Sequence, residues 1–455
     1  MDTKKLRQKI LNLAIHGKLV PQDPNDEPAS VLLERIKAEK ERLIKEGKIK
    51  RSKKPVKTSD TPHYENVPFE VPEGWKSVPV SELFCLNPKS EITDDTSVGF
   101  IPMACVNDGF SGNHQFEERI WKEVKKGYCH FQNGDIGIAK ISPCFENLKS
   151  TIFQNLPNNY GAGTTELVIL RPLNIHARFY LYLFKSQWYI SEGTKYFKGV
   201  VGQQRVHKGI FTDLQIPLPP LAEQYRIVAE IEKWFALIDQ IEQGKVDLQT
   251  IIKQTKSKIL DLAIHGKLVP QDPNDEPAIQ LLKRINPDFT PCDNGHYPQL
   301  PNNWTITPMQ VLCALVDGDK QNGIERVNLD VKYLRGEREA KTLNSGKYIS
   351  ANSLLILVDG ENSGEVFRTP IDGYQGSTFK QLSINENMNT EYVLQVINLH
   401  RKILRENKVG SAIPHLNKKL FKEIEVPIPP YKEQMRIVEA INVTFKHLDV
   451  IMESL

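Results

Sequence analysis

Apolar residues at alternating three- and four-residue steps mark the stretch that follows Pro220. This is the spacing of a coiled-coil seam, with Lys245 and Thr255 as polar interruptions. Gly266 and Pro270 stand at its end, as the C-termini of helices prefer. The pattern therefore predicts one helix of roughly 65 Å, at a rise of about 1.5 Å per residue. The predicted seam positions are Ile231, Trp234, Ile238, Ile241, Leu248, Ile252, Ile259 and Leu262.

A different pattern flanks this helix. The runs DIGIAKI, ELVILRP and SLLILVD are short and strand-like, and Gly, Pro and Asn turns separate them. They predict two globular domains, at residues 71–220 and 300–430. Residues 1–70 are predicted to form a helical segment with a basic tether, residues 221–299 a helical spacer, and residues 431–455 a C-terminal helix. The predicted fold class is α+β.

The chain also repeats itself in order. LAIHGKLVPQDPNDEPA begins at Leu13 and again at Leu262, without a difference. IPLPPLAEQYRIV at Ile216 returns as VPIPPYKEQMRIV at Val426. Between these, VPEGW returns as LPNNW, VGFI as VKYL, and YGAGT as YQGST. One long module is therefore used twice.

The two chain ends complete this repeat. Leu455 matches Lys245 when the chain is aligned on the motifs at Ile216 and Val426. Met1 matches Thr250 when it is aligned on the motifs at Leu13 and Leu262. The ends together thus reproduce nearly the whole central helix, which predicts long antiparallel coiled-coil helices, cyclic pseudo-two-fold symmetry and one globular domain in each half. The seam positions that the ends supply are Leu6, Ile10, Leu13, Ile441, Leu448 and Ile451.

The composition is that of a globular protein, with 40% hydrophobic and 25% charged residues among 455. We expect neither a membrane span nor a signal peptide, because the apolar runs are short and no cleavage site follows the first. The six cysteines form no CxxC pair, so a reducing cytoplasm is expected. The net charge of +3 neither demands nor excludes nucleic acid. The basic run 37–57 is interpreted as a helix end and tether.

Two similar but different domains held apart by a helix suggest a reader of a two-part target, a geometry that dimeric DNA-binding proteins use. The modules diverge in polar loops: Glu166 aligns with Lys380, and GVVGQQRVHK aligns with VGSAIPHLNK. Such side chains contact base edges and phosphates, although ordinary loop positions would hold them equally well. The candidate DNA-binding residues are Lys140, Gln203, Gln204, Arg205, His207, Lys208, Arg335, Arg338, Lys341, Lys380, His415, Asn417 and Lys418.

Signals for catalysis are weak. IPPY at Ile428 lacks the Asp or Asn that the amino-methyltransferase motif requires, so its prolines are interpreted as a stop between strand and helix. No Gly-Lys pair is followed by Ser or Thr, which excludes a Walker A loop. Glu339 and Lys341 resemble part of a nuclease site but lack a nearby Asp partner. His16 and His265 stand at helix ends, where the helix dipole explains them. We predict no catalytic, cofactor-binding or metal-binding residue.

The repeated LAIHGKLVPQDPNDEPA, the IPLPPLAEQ and VPIPPYKEQ junctions, and VPEGW and LPNNW together resemble the specificity subunits of type I restriction-modification systems. The resemblance covers essentially the full chain. It implies two target recognition domains for an asymmetric bipartite site in double-stranded DNA, with helices that set the gap between the half-sites. It also implies docking of two modification subunits and recruitment of restriction subunits, with S-adenosylmethionine, ATP and Mg²⁺ on those partners.

Two other functions fit parts of the pattern. One is a self-sufficient DNA methyltransferase or nuclease with an unrecognised active site. The other is a coiled-coil scaffold that binds no DNA, for which the seam alone would suffice. Activity of the chain without partners would favour the first, and salt-sensitive DNA affinity would count against the second.

Overall fold

A computed structural model describes residues 2–49, 70–195, 197–199, 204–291, 297, 299–409 and 414–455. Residues 50–57 of the basic run and the candidate Gln203 lie outside the described residues. The chain divides into two compact units, Met1–Gln243 and Gly244–Leu455. Within the described part of the chain, no helix is long and apolar enough to cross a membrane.

Unit 1 begins and ends with helices and holds its strands between them. Its helices are α1 (Thr3–Ile15), α2 (Ala29–Lys45), α3 (Val80–Leu83), α4 (Trp121–Val124), α5 (Ala177–Phe184), α6 (Gln187–Thr194) and the first half of α7 (Leu221–Ile264). Its strands are β1 (Lys76–Pro79), β2 (Phe84–Leu86), β3 (Ser97–Ile101), β4 (Glu117–Ile120), β5 (Cys129–Gln132), β6 (Ile136–Ala139), β7 (Ser150–Ile152), β8 (Tyr160–Gly163), β9 (Leu167–Pro172) and β10 (Gln215–Leu218).

Unit 2 contains the second half of α7 and has an arrangement of helices and strands similar to that of unit 1. Its further helices are α8 (Ala278–Ile285), α9 (Met309–Leu312), α10 (Val331–Leu334), α11 (Thr390–Glu406), α12 (Lys418–Glu423) and α13 (Tyr431–Ser454). Its strands are β11 (Thr305–Pro308), β12 (Cys313–Val316), β13 (Asp319–Leu329), β14 (Thr342–Ile349), β15 (Leu354–Leu357), β16 (Val366–Arg368), β17 (Gly373–Gln375), β18 (Phe379–Ile384) and β19 (Glu425–Ile428).

The sheets show which parts of the module are kept. The antiparallel pair β1–β10 recurs as β11–β19, and the sheet β2-β9-β6-β7 recurs as β12-β18-β15-β16. The third sheet differs, because β4-β3-β8-β5 is open in unit 1 whereas β13, β14 and β17 form a closed barrel in unit 2. The predicted α+β class is thus present in both units, and their divergence is concentrated in this third sheet.

Two of the sequence alignments were wrong in register. VGFI lies in strand β3, but VKYL forms the helical turn α10. The backbone amide of Lys140 bonds to Glu166 O, and the equivalent amide of Val358 bonds to Thr378 O. Glu166 therefore corresponds to Thr378 and not to Lys380. Short motifs of similar letters matched out of register, while backbone pairing identifies the true equivalents.

Helix α1 runs antiparallel to the first half of α7 within unit 1. The Arg7 guanidinium lies 2.7 Å from Asp239 Oδ1 and 2.9 Å from Glu242 Oε2. Gln22, further along the chain, bonds to Glu223 near the start of α7. Ile10, Leu11, Ala14 and Ile15 share one core with Ile227, Ile231, Phe235 and Ile238. In unit 2, Ile437, Val438 and Ile441 of α13 share a core with Ile259, Leu260, Ala263 and Ile264.

The predicted seam is only partly buried. Ile231, Ile238, Ile252, Ile259, Ile10 and Ile441 are buried, whereas Leu6, Leu13, Leu262 and Leu448 are half-buried. Trp234, Ile241, Leu248 and Ile451 are exposed by 42%, 41%, 36% and 43%, so the helix contacts described here do not bury them, and their place in a helix or partner seam stays a prediction. An α-helix has 3.6 residues per turn, so a strict seven-residue pattern drifts off a straight contact line. Phe235, next to Trp234, takes the buried position instead.

Three repeated motifs meet where each domain joins its helices. In unit 1, Gly17 has a φ of +65°, and a Cβ there would lie 2.3 Å from Pro72 Cγ. The Trp75 indole Nε1 donates to Glu223 Oε2 at 2.8 Å, and Gln22 Nε2 donates to Glu223 Oε1 at 2.7 Å. We call Gln22, Trp75 and Glu223 the helix–domain junction of unit 1.

Unit 2 builds the same junction from the second copy of each motif. Gly266 also has a φ of +65°, and a Cβ there would lie 2.5 Å from Pro301 Cγ. Trp304 Nε1 lies 3.1 Å from Glu433 Oε2 and 3.2 Å from Gln271 Oε1, and it donates to both. Gln271, Trp304 and Glu433 are the helix–domain junction of unit 2. The duplicated LAIHGKLVPQDPNDEPA therefore supplies the glutamine of each junction and the glycine that lies close to the proline of the domain.

Candidate nucleic-acid interface

The candidate residues of unit 1 converge on one irregular loop beside the end of β6. Val206 N donates to Lys140 O at 2.9 Å, and Ser142 N donates to Gln204 O at 2.8 Å. Arg205 forms isolated bridges with both Ile141 and Lys198. Lys140 is far in sequence from the neighbouring residues Gln204 and Arg205, and this pairing brings them together.

Arg205 is held in place by an acidic neighbour. Its Nη2 lies 2.8 Å from Glu166 Oε1, and its Nε lies 3.1 Å from Oε2. The hydrogen bonds from Arg205 hold the pKa of Glu166 below its usual value. The Arg205 side chain is still 53% exposed. The planar donor group is thus oriented in advance while it remains accessible to a ligand.

His207 and Lys208 lie at the end of the same loop. His207 Nδ1 accepts a hydrogen bond from Gly209 N at 3.1 Å and caps the short turn Lys208–Phe211. Partial burial lowers the pKa of His207. Lys208 is exposed at the first position of that turn. His207 thus shapes the backbone, and Lys208 presents its charge to solvent.

Unit 2 holds the equivalent loop in the same way. Leu416 N donates to Val358 O at 2.7 Å, as Val206 does to Lys140. His415 bridges to Val409 and Asp359, so it occupies the place of Arg205. Its Nδ1 lies 2.6 Å from Asp359 Oδ1. The two loops share their backbone pairing and differ in the side chain that they present.

Asn417 and Lys418 follow His415 as His207 and Lys208 follow Arg205. Asn417 Oδ1 accepts from Leu420 N at 3.0 Å and caps helix α12. Lys418 is exposed at the first position of that helix. A capping side chain followed by an exposed lysine is therefore common to both loops.

The remaining candidates of unit 2 are held by local carboxylates. Arg335 pairs with Glu365, and Arg338 pairs with Asp330. Lys380 lies 2.5 Å from Asp317, which Lys347 also contacts at 2.8 Å. Lys341 has an exposed side chain, and its carbonyl accepts from Asn328 N at 2.7 Å. Among the described residues, none of these basic groups forms a hydrogen bond or an ion pair with His415, and their role in DNA binding stays a prediction.

Asp317 is the residue that sequence reasoning missed in this group. Hydrogen bonds from Lys347, Lys380 and Gln375 hold the pKa of Asp317 well below its usual range. It therefore remains ionised and neutralises part of the two lysine charges. An acidic residue next to the end of β12 gave no sequence signal, because its partners lie on β14 and β18.

Other reactive-looking residues have structural explanations. His16 Nδ1 lies 2.6 Å from Asn12 O, and His265 Nδ1 lies 2.7 Å from Asp261 O, so both rings lie against the ends of their helices. Among the residues that the structure describes, no cluster of His, Cys, Asp and Glu could hold a metal ion. This includes Glu339, which is exposed.

Comparison with known proteins decides the family. A model of the type I restriction modification DNA specificity domain matches residues 72–249 and 317–452. The chain belongs to this family. The resemblance inferred from the repeated motifs is therefore confirmed.

Curated members of the DNA specificity family give the range of similarity. The chain is 44% identical over 326 residues to the EcoAI specificity subunit of Escherichia coli, covering 62% of this chain and 55% of that protein. It is equally identical to the Escherichia coli EcoEI specificity subunit, covering 54% of it. The chain thus spans about half the length of these relatives. Similarity to the EcoKI specificity subunit of Escherichia coli K12 is lower, at 22% over 401 residues, but covers 84% of both chains.

Solved structures of the family share the fold. A chain described under "complex assembly and conformational transition of the type I R-M system" matches with a TM-score of 0.63 and 16% identity, covering 85% of this chain and 94% of that one. The HsdS subunit from Thermoanaerobacter tengcongensis matches with a TM-score of 0.53 and 16% identity, covering 85% and 93%. The predicted fold class is confirmed by these matches.

Proposed function

We propose that this chain is the sequence-specific DNA-recognition subunit of a type I restriction-modification complex. In this proposal, residues 71–220 bind one half of an asymmetric bipartite target in double-stranded DNA, and residues 300–430 bind the other half. One observation carries it: the loops at Arg205 and His415 have the same backbone pairing but present different side chains. Recognition of two different half-sites requires loops of the same backbone structure that present different side chains to the DNA.

The chemistry of unit 1 suits base recognition. An Arg guanidinium can donate two parallel hydrogen bonds to guanine O6 and N7 in the major groove. Glu166 already orients the guanidinium of Arg205, so less side-chain entropy is lost when DNA binds. Lys208 and Lys418 are exposed at the starts of their helical turns. In this proposal they contact phosphates, which fix register but carry no base information.

The chain is proposed to be non-catalytic and to act through partners. Two modification subunits would bring S-adenosylmethionine, and restriction subunits would bring ATP and Mg²⁺. Support for docking comes from exposed apolar residues on α7 and α13, since side chains such as these often mark protein interfaces. They include Trp234, Leu237, Ile241, Val443, Val450 and Ile451. The proposed location is the cytoplasm, where the DNA and these partners are found.

The test is adenine methylation across the host genome, read at single-base resolution with and without this gene. Loss of a split, asymmetric motif on deletion would support the proposal and give the target. A second strain exchanges residues 71–220 for the corresponding domain of a relative. One half of the motif should then change while the other half is retained. A change in both halves would contradict independent reading, and an unchanged methylome after deletion would contradict the proposed function.

A further inference from the structure

We propose that the helix–domain junctions fix the orientation of each recognition domain on its own helices, and thereby the length of the gap that the protein accepts between half-sites. Glu223 and Glu433 are then positioning residues, because they touch no DNA and act through the domain. The inference rests on the proposed function. It adds to it the residues that determine the spacing of the target.

The junction of unit 1 is a buried and directional contact. Glu223 and Trp75 are only 1% and 2% exposed. Burial raises the pKa of Glu223, although hydrogen bonds from Trp75 and Gln22 oppose this effect. Removing a carboxylate from water costs free energy, and an apolar pair of similar volume would often stabilise a fold equally well. The hydrogen bond between Trp75 and Glu223 differs from an apolar contact because its strength depends on angle. It can therefore fix the orientation of the domain on its helices.

Unit 2 repeats this costly arrangement. Glu433 is 1% exposed, and burial raises its pKa as it does that of Glu223. Its Oε1 has no hydrogen-bond partner among the described residues. The domains between the junctions have diverged, down to an open sheet in one and a closed barrel in the other. Both nevertheless retain the Trp, Glu and Gln of the junction.

Second contacts in each unit fix the same helix start. Arg226 forms two hydrogen bonds with Asp26, one of them 3.1 Å long. Arg436 lies 2.7 Å from Asp275. Each pair joins the duplicated loop to the first turns of α7 or α13. In each unit, hydrogen bonds and ion pairs therefore connect the start of the helix both to the duplicated loop and to the domain.

The helix–domain junction of unit 1 is connected along the chain to the loop at Arg205. Trp75 immediately precedes β1, which pairs with β10 along its whole length. The loop at Arg205 leads through the turn Lys208–Phe211 into β10, and β10 leads into α7 after Pro219 and Pro220. A tilt at the junction therefore moves the reading loop with respect to α7. A displacement of about 3.4 Å along the DNA corresponds to one base pair of gap.

The test uses the full chain, assembled with its partners in the host, and reads the gap in the methylated motif. Trp75→Phe keeps the aromatic ring and removes the indole N–H. It should leave the bases of both half-sites unchanged, while motifs with a gap one base pair longer or shorter become methylated. We expect the preference for the native gap to fall about two- to tenfold, the factor set by one hydrogen bond. Trp304→Phe should have the same effect from unit 2.

Two further variants separate positioning from folding. Glu223→Gln keeps an acceptor for Trp75 and should retain the native gap, whereas Glu223→Leu should not. Gln22→Ala, in the loop, is a milder change with the same expected direction. The control is Trp121→Phe, since Trp121 is buried in the same domain and packs against His130, away from the junction. It should lower the melting temperature and leave the gap unchanged.

Two outcomes would overturn the inference. If the junction variants lower the melting temperature but methylate only the native gap, the junction is structural and the inference is wrong. If deletion of the unmodified gene removes no motif, both the inference and the proposed function fail. The unmodified gene thus distinguishes a failure of the function from a failure of the junction alone.

Discussion

The guanidinium of Arg205 makes two hydrogen bonds to the carboxylate of Glu166, of 2.8 and 3.1 Å, across 39 residues of sequence. The pair lies on a solvent-exposed edge, where an isolated ion pair contributes little to stability. Its main effect is to orient the donor plane of the arginine.

Arg205→Ala should weaken binding of the specific target by roughly 5- to 150-fold, the range for an arginine that contacts a base. Binding to DNA with the half-site of unit 1 scrambled should change little. Fluorescence anisotropy of the assembled complex with both DNAs measures the difference. Arg119→Ala is the matched control, because Arg119 pairs with Glu117 on β4 of the same domain. Equal losses on both DNAs would show that Arg205 contacts only the backbone.

Asp317→Asn should strengthen binding to DNA of any sequence, because it releases Lys347 and Lys380 from their shared carboxylate. The logarithmic dependence of affinity on salt should steepen by about 0.9 for each additional phosphate contact. Asp372→Asn changes the net charge equally, and Asp372 accepts hydrogen bonds from Tyr348 and Ala351 rather than from a lysine. A weaker affinity in Asp317→Asn alone would mean that Asp317 positions the lysines for binding.

Gly17→Ala should destabilise unit 1 by about 2–5 kcal/mol, since it combines a left-handed backbone with overpacking against Pro72. Gly47→Ala isolates the first cause, because Gly47 has a φ of +71° and open space around it. It should cost only about 1–2 kcal/mol. Denaturant unfolding of the three proteins gives both values. Equal losses in the two variants would refute the close approach of Gly17 to the domain.

The stability of unit 1 should rise with pH above neutrality because of Lys185. Burial lowers the pKa of Lys185 to about 7 in the folded protein, against 10.5 for the ordinary side chain. Between these values folding releases a proton, so each unit of rising pH adds up to about 1.4 kcal/mol of stability. Below about pH 7 both states are protonated, and this contribution to the slope disappears.

Lys185→Met removes the titrating group together with its hydrogen bonds to Gly109 O and Leu148 O, both 2.7 Å long. The variant should therefore lose the rise in stability between pH 7 and pH 9 that the natural chain shows. Urea unfolding at these two pH values measures the difference. A slope that is the same in both proteins would show that Lys185 is protonated in the fold.

Much of the helical frame is predictable from local sequence. Helix α7 starts directly after Pro220 and ends at Ile264, two residues before Gly266, as proline and glycine preferences require. Each unit also has a junction made of the same three repeated motifs. Which seam positions are buried was harder to predict, because it depends on where a second helix lies against α7.

The candidate interface could be predicted only in part. Gln204, Arg205, His207 and Lys208 were proposed because they diverge between otherwise matched modules, and their contact with DNA stays a prediction. The contacts of Glu166 with Arg205 and of Asp359 with His415 depend on pairing between irregular loops, which follows no periodic pattern. The junction had one usable signal: VPEGW, LAEQ and KLVPQD have the counterparts LPNNW, YKEQ and KLVPQD in the second module. That recurrence indicates a shared contact but gives no evidence of which side chains meet.

The division between the units also has a consequence for proteolysis. Gly244 is exposed at this boundary within α7, and a glycine weakens a helix by about 1 kcal/mol relative to alanine. Each junction lies wholly on its own side of the boundary. A protease that cleaved beside Gly244 would break one covalent link and leave each fragment with its own hydrophobic core. Limited digestion should therefore yield two resistant fragments of nearly equal size.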